Sequence, residues 1–387
     1  MKPLFSRVLS CYAADTAGVC SALFELGGMT VVHDASGCNS TYATHDEPRW
    51  FDAESMVYIS ALTEMDAVCG NDGKLIDDCV RSALELQPRF ITLCNSPIPL
   101  MIGCDMNFIA QEIERRSSIP TFAVPTGGMK HYHAGAAQAW VMLAERFLPQ
   151  EAPQKIRNSL NILGATPLDF SLNGNVEAVE NFVRKNNFQL LSTWAMNSSW
   201  SDLMNSAQAA VNLVISNSGL PLAEYMQKVY NIPFVCGLPV GEQTAAGLAD
   251  ALRAAAASGV SDYFGSRRKF QASATDAQII GEAVFASALA QAWEMELNIP
   301  VRVIDPLACN GKLLGGSDIQ VESEAEIAAA VSGSRLIAAD NMYIPVMPPD
   351  CRVLKIPHEA FSGRCYHRER KNFMDRKVDW ELYICSK

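Results

Sequence analysis

Twelve cysteines are spread over 387 residues, and three of them stand where a fold would present a thiol to chemistry. Cys38 sits in Asp34-Ala35-Ser36-Gly37-Cys38-Asn39-Ser40, just beyond a β-branched run. Cys94 closes Arg89-Phe90-Ile91-Thr92-Leu93-Cys94 and is followed by Asn95-Ser96-Pro97, while Cys11 precedes a helix-like stretch. Strand carboxyl ends face the ligand crevice of an open α/β sheet, and a helix N-terminus stabilises a thiolate. Three thiolates so placed could hold a metal centre. Free cysteine is equally a small buried hydrophobe, and no compact Cys-x-x-Cys pattern is present, so the residues alone leave both readings open.

The rest of the chain must position these groups. Apolar, β-branched runs of five to seven residues alternate with longer amphipathic stretches, the pattern of buried parallel strands covered by helices. The expected strands are 29–35, 56–62, 89–94, 121–124, 159–164, 189–193, 211–216, 234–238, 270–274, 301–304, 336–339, 352–356 and 381–384. A helix-to-strand corner recurs three times, as Ser118-Ile119-Pro120-Thr121, Asn231-Ile232-Pro233-Phe234 and Asn298-Ile299-Pro300-Val301. Proline has no N–H to continue a helix or a central ladder, so it suits the first residue of a strand. Three such corners predict an α/β fold of three doubly wound, Rossmann-like units with mostly parallel sheets. The polar, proline-flanked segment 149–154 and a weaker break near 259–266 place the units at 1–150, 151–265 and 266–387.

Composition narrows the function. With 49% hydrophobic and 19% charged residues the chain is globular. Net charge is −11 and no basic stripe is longer than Arg267-Arg268-Lys269, which argues against nucleic acid as a partner. No apolar run reaches the ~20 residues that cross a bilayer, and the cysteine density is far below that of a stapled secreted scaffold. A reducing cytoplasm is the expected location. Gly70-Asn71-Asp72-Gly73-Lys74-Leu75 lacks the glycine spacing and the hydroxyl residue of a phosphate loop, so the chain is expected to bind no nucleotide itself.

A set of motifs in chain order resembles the nitrogenase component 1 family. It begins with Cys11-Tyr12-Ala13-Ala14-Asp15-Thr16-Ala17-Gly18-Val19, running to His33-Asp34-Ala35-Ser36-Gly37-Cys38. It continues through Thr63-Glu64-Met65-Asp66 into the glycine loop, then Ile91-Thr92-Leu93-Cys94 with Ile102-Gly103-Cys104-Asp105, and ends at Val124-Pro125-Thr126-Gly127-Gly128. The resemblance covers about the first 140 residues. It implies that Cys11, Cys38 and Cys94 hold an iron–sulfur cluster, [4Fe–4S] or larger, at the interface with an identical or homologous subunit. It implies further that a separate ATP-dependent iron–sulfur reductase supplies electrons to a substrate bound between the units, with a non-catalytic role as a scaffold for metallocluster assembly as the alternative.

The departures from that family also carry expectations. Ser216 occupies the place of the thiolate that tethers the large cofactor of nitrogenase proper, and a neutral hydroxyl is a poor soft-metal ligand, so dinitrogen reduction is not expected. His358 falls near the family's other cofactor ligand and is the one catalytic candidate, set against a structural role. Cys20 and Cys104 are not expected to ligate. Cys69, Cys79, Cys236, Cys309, Cys351, Cys365 and Cys385 read as packing, His131-Tyr132-His133 as a surface turn, and the stretch 364–370 as a solvated basic face. Trp194 and Trp200 could line a cavity or fill a core.

Overall fold

The computed structural model describes residues 6–37 and 47–381. Its named strands form three sheets, and every ladder between them is parallel. The first sheet runs β2-β1-β3-β4, with β1 (Met29–Val32), β2 (Met56–Ile59), β3 (Ile91–Cys94) and β4 (Thr121–Val124). The second runs β6-β5-β7-β8, with β5 (Ser159–Leu163), β6 (Gln189–Trp194), β7 (Val211–Val214) and β8 (Phe234–Cys236). The third runs β11-β10-β9-β12-β13, with β9 (Ala277–Ile280), β10 (Val301–Asp305), β11 (Ile319–Gln320), β12 (Leu336–Ala339) and β13 (Arg352–Lys355). The chain around each sheet is here called the first, second and third unit.

The corner prolines do what their chemistry requires. Pro120, Pro233 and Pro300 each stand one residue before a strand, and the carbonyls of Pro120 and Pro233 accept the first ladder bonds from Ile91 and Asn212. Their missing N–H groups cost nothing there. Central strands β1, β3, β5, β7 and β9 are buried throughout because helices cover both faces.

Two readings of the sequence need correction. Residues 270–274 form no strand: Ser273 and Asp276 close a turn on each other, and the ladder begins at Ala277. The short edge strand β11 carried no apolar run to announce it. Of the expected strand 381–384, positions 382–384 lie outside the described residues.

Each sheet reverses its order once, between β1 and β3, β5 and β7, and β9 and β12. At such a switch point the adjacent loops diverge and leave a crevice beyond the strand ends. The polar residues that matter follow these strands: His33 and Asn95 in the first unit, Asp169 and Asn217 in the second, Glu282 and Asp340 in the third.

The first and second halves of the first unit are locked by helices Asp15–Leu23 and Tyr132–Phe147, which cross at backbone contact. A Cβ on Gly18 would lie 1.8 Å from the carbonyl oxygen of Tyr132, and one on Gly135 would lie 1.9 Å from that of Asp15. Only glycine permits this approach.

Candidate functional site

The carboxyl edge of the first sheet is built from the loops after β1, β3 and β4 around the start of helix Asp15–Leu23. Asp15 organises it. Its carboxylate accepts N–H bonds from Gly127 at 3.1 Å, Gly128 at 2.8 Å and Thr16 at 2.9 Å, tying the Val124-Pro125-Thr126-Gly127-Gly128 loop to the helix. Asn95, Thr126, Leu100 and Cys104 join Asp15 around a cleft of about 370 Å³. Met129 and Lys130 form its rim and that of a neighbouring cleft of about 440 Å³ that contains Cys11 and His131.

The three expected ligand thiols fare differently. Cys11 is exposed on the second cleft. Cys38 lies outside the described residues. Cys94 is fully buried: it ends β3 on the face shared with Val32, Phe90, Val124 and Trp140, opposite Ile91 and Leu93. Its thiol is hydrogen-bonded to that of Cys20 on helix Asp15–Leu23, and this bond, with burial, pushes its pKa well above the ordinary thiol value. Among the described residues no three of His, Cys, Asp and Glu converge as a metal site.

Around this edge the surface is apolar. Met101 and Met129 are 85% and 81% exposed, Leu100 and Ile102 flank Met101 in the chain, and these two and Phe108, near the start of the next helix, each keep more than a third of their surface in solvent. Helix Glu64–Cys69 adds exposed Met65, Val68 and Cys69. A monomer rarely leaves so many large apolar groups together without a partner. Cys69 and Cys365 are exposed, so the packing role expected of them is corrected, whereas Cys79, Cys236 and Cys309 are buried as packing requires. Cys104 is half-exposed and donates to Asp72 at 3.6 Å; desolvation and the two neighbouring aspartates push its pKa to about 12.

A second polar assembly joins all three units. Tyr132, on the first unit's helix, donates its hydroxyl to Asp169 of the second. Thr166 and Ser218 donate to the same carboxylate at 3.1 and 3.4 Å, and His358 Nε2 of the third unit lies 3.5 Å from it. Ser171 donates to Glu359 at 2.7 Å, and the Asn217 N–H donates to Glu282 at 2.7 Å. Burial first, then the Asp169 charge, pushes Glu282 up to about 8.

The expected surface turn at His131-Tyr132-His133 is therefore a helix start at this junction. Tyr132 is fully buried, and His133 donates from Nε2 to the Leu307 carbonyl at 2.8 Å while Nδ1 accepts from Asn217 at 3.0 Å. The expected basic face at 364–370 is corrected at its last residue, since Arg370 Nη1 is sealed from solvent. Desolvation lowers the Arg370 pKa. His358 is buried and stacks on Phe361 at 4.4 Å, with neither ring nitrogen in a full hydrogen bond. The void between His358, Arg370 and Glu282 measures about 10 Å³, room for one water. Ser216 is buried and donates to the Gly164 carbonyl at 2.7 Å, and Trp194 is wholly in the core.

The family model for nitrogenase component 1 type oxidoreductases matches residues 15–293, more than half of the chain. The chain belongs to that family. It is 24% identical over 225 residues to the nitrogenase iron-molybdenum cofactor biosynthesis protein NifE of Clostridium pasteurianum, covering 56% of this chain and 48% of that protein. It is 26% identical over 185 residues to a light-independent protochlorophyllide reductase polypeptide of Porphyra purpurea, covering 44% and 36%. The chain thus spans about half, or less, of the length of these relatives. Among solved structures, nitrogenase Cp1 at pH 6.5 superposes with a TM-score of 0.57 over 79% of this chain and 64% of its own, at 16% identity. That likeness shows the fold: nitrogenase component 1 architecture is what the three parallel sheets build.

Members of the family bind iron–sulfur clusters. Of the two expected ligand thiols that lie among the described residues, Cys11 fits such a group, being exposed beside a cleft. Cys94 does not fit as it stands, because its sulfur faces the core and would have to leave Cys20 to reach the edge.

Proposed function

We propose that the chain is one subunit of a nitrogenase-like oxidoreductase, pairing with an identical or homologous subunit and drawing electrons from a separate ATP-dependent iron–sulfur reductase. The observation that carries this is the apolar collar of Leu100, Met101, Ile102, Phe108 and Met129 around the edge where Cys11 is exposed. Such a surface docks a protein partner and excludes water from the clefts behind it. The proposed cluster site takes Cys11 and Cys38, is completed by the partner, and includes Cys94 only if its thiol leaves Cys20 and turns to the edge; a cluster bound there would supply one-electron relay. The chain's own residues do the holding: Asp15 fixes the Gly127-Gly128 loop, and the collar closes the edge.

The substrate is proposed to enter the clefts at this edge. At the three-unit junction His358, Arg370 and Glu282 leave space for one water only. His358 acts there as a buried partner of Asp169. The second reading, a scaffold for metallocluster assembly, is favoured by the likeness to a cofactor biosynthesis protein.

Anaerobic purification followed by iron and sulfide analysis tests the reading. Iron is expected in the wild type and lost in Cys11→Ala and Cys38→Ala. Loss in Cys94→Ala as well would show that Cys94 turns outward to ligate, whereas a colourless wild type after reconstitution would sink the cluster reading. Turnover with a reductase and ATP separates the oxidoreductase from the scaffold.

A further inference from the structure

Cys11 belongs to the first unit by its position in the chain, yet the third unit grips the segment that bears it. The N–H groups of Arg7, Val8 and Leu9 converge on a single oxygen, Oε2 of Glu324, each at 2.9 Å, and the Ser6 hydroxyl donates to the same atom at 3.2 Å. Leu9 is buried among Ile327, Val331 and Ile304. On the other side of Cys11, Tyr343 donates its hydroxyl to that of Tyr12 at 2.8 Å, the Tyr12 ring lies 4.8 Å from that of Phe361, and the Ala13 N–H donates to the Ala360 carbonyl at 2.8 Å. Only at Asp15 does the chain enter the first unit's helix.

Three successive amides on one carboxylate oxygen form a charge-assisted nest, stronger and more directional than neutral turns. Glu324 is itself fixed, as the first residue of helix Glu324–Val331 behind the Ser323 cap, where a negative charge suits the helix dipole. The backbone bonds from Leu9 and Val8 hold the carboxyl below its ordinary range, so it remains ionised at neutral pH.

We propose that Glu324 is a positioning residue for Cys11, fixing from the third unit the loop that carries the thiol, so that metal binding at the first sheet's edge depends on the seating of the third unit. This rests on the reading of Cys11 as a cluster ligand. Glu324 touches neither metal nor substrate in this scheme; it acts through the loop.

The test is Glu324→Ala, with Glu324→Gln retaining a carbonyl acceptor and Glu322→Ala as a control on the same loop. In Glu324→Ala, amide hydrogen exchange across residues 6–14 is expected to accelerate on the order of tenfold, the effect of losing one charge-assisted bond. The reconstituted protein should lose most of its iron or show an altered paramagnetic spectrum. Glu324→Gln should restore part of both, and Glu322→Ala should match the wild type. Unchanged exchange in Glu324→Ala overturns the proposal. So does accelerated exchange with wild-type iron content and spectrum, which would make the clamp merely structural. A wild type without iron defeats the parent reading and the inference with it, whereas an iron-loaded wild type matched by Glu324→Ala defeats the inference alone.

Discussion

Glu282 is a carboxyl group enclosed where the second and third units meet, accepting N–H bonds from Asn217 at 2.7 Å and Phe285 at 2.9 Å. Burial, and after it the charge of Asp169, outweighs those bonds and pushes its pKa up from 4.5 to about 8. The folded protein therefore holds this proton more tightly than the unfolded chain. The stability so contributed is fully present below about pH 4.5 and is lost as pH rises through about 8. Urea unfolding across this interval should show stability falling with pH in the wild type and a flatter profile in Glu282→Gln; parallel profiles would refute the assignment. The thiols offer a second residue-scale check. Under native conditions alkylation should modify Cys11, Cys69 and Cys365 quickly and leave Cys20 and Cys94 untouched until unfolding. Rapid modification of Cys94 would mean that it visits the surface and is available to a metal. Its burial was legible in part: the alternation Ile91, Leu93 against Thr92, Cys94 runs to the end of the strand, so Cys94 belongs to a covered face rather than to the loop beyond. Glu282 was legible only as the polar boundary of an apolar helix, because nothing local to it announces Asp169 or Asn217.

At the scale of elements, the contact of helices Asp15–Leu23 and Tyr132–Phe147 depends on Gly18 and Gly135 facing backbone atoms at less than 2 Å from any added Cβ. No rotamer change relieves a clash with a carbonyl. Gly135→Ala should gain about 1 kcal/mol of helix propensity, yet forcing the helices apart costs roughly 1–3 kcal/mol or more. A net loss of stability by calorimetry is the expected outcome; a stabilised variant would show that the helices pack more loosely. Strands were the most readable elements, since a β-branched run between Ile-Pro and a polar loop suffices to mark one. The error at 270–274 came from apolar and β-compatible residues that a Ser273–Asp276 turn pulls out of the ladder, and β11 was missed because two residues pairing with β10 need no apolar pattern. The helix at Tyr132 was hidden by its flanking histidines, which read as polar surface, although His133 bonds to Leu307 and Asn217.

The whole molecule is organised by three switch points, and what joins them lies in residues far apart in the chain. Local patterns predicted the sheets; they carried no information on which loops would meet, because the pairing of Tyr132 with Asp169, or of residues 6–9 with Glu324, is decided only when the units pack. Asp169 is the residue on which the meeting turns, with Tyr132 from the first unit, Thr166 and Ser218 from its own and His358 from the third all directed at one carboxylate. Asp169→Ala leaves the buried hydroxyls of Tyr132, Thr166 and Ser218 without the carboxylate they donate to, and should cost about 1–3 kcal/mol for each donor left unsatisfied. Asp169→Asn keeps one carbonyl to accept from Tyr132 and should cost less, roughly 1–3 kcal/mol. Asparagine also removes the negative charge beside Glu282, so the alkaline loss of stability should move to lower pH in Asp169→Asn than in the wild type. Denaturation of both variants measured across pH decides the point. If Asp169→Asn leaves the pH profile where it was, the two carboxyls do not feel each other, and the junction is a set of separate contacts rather than one electrostatic unit spanning the molecule.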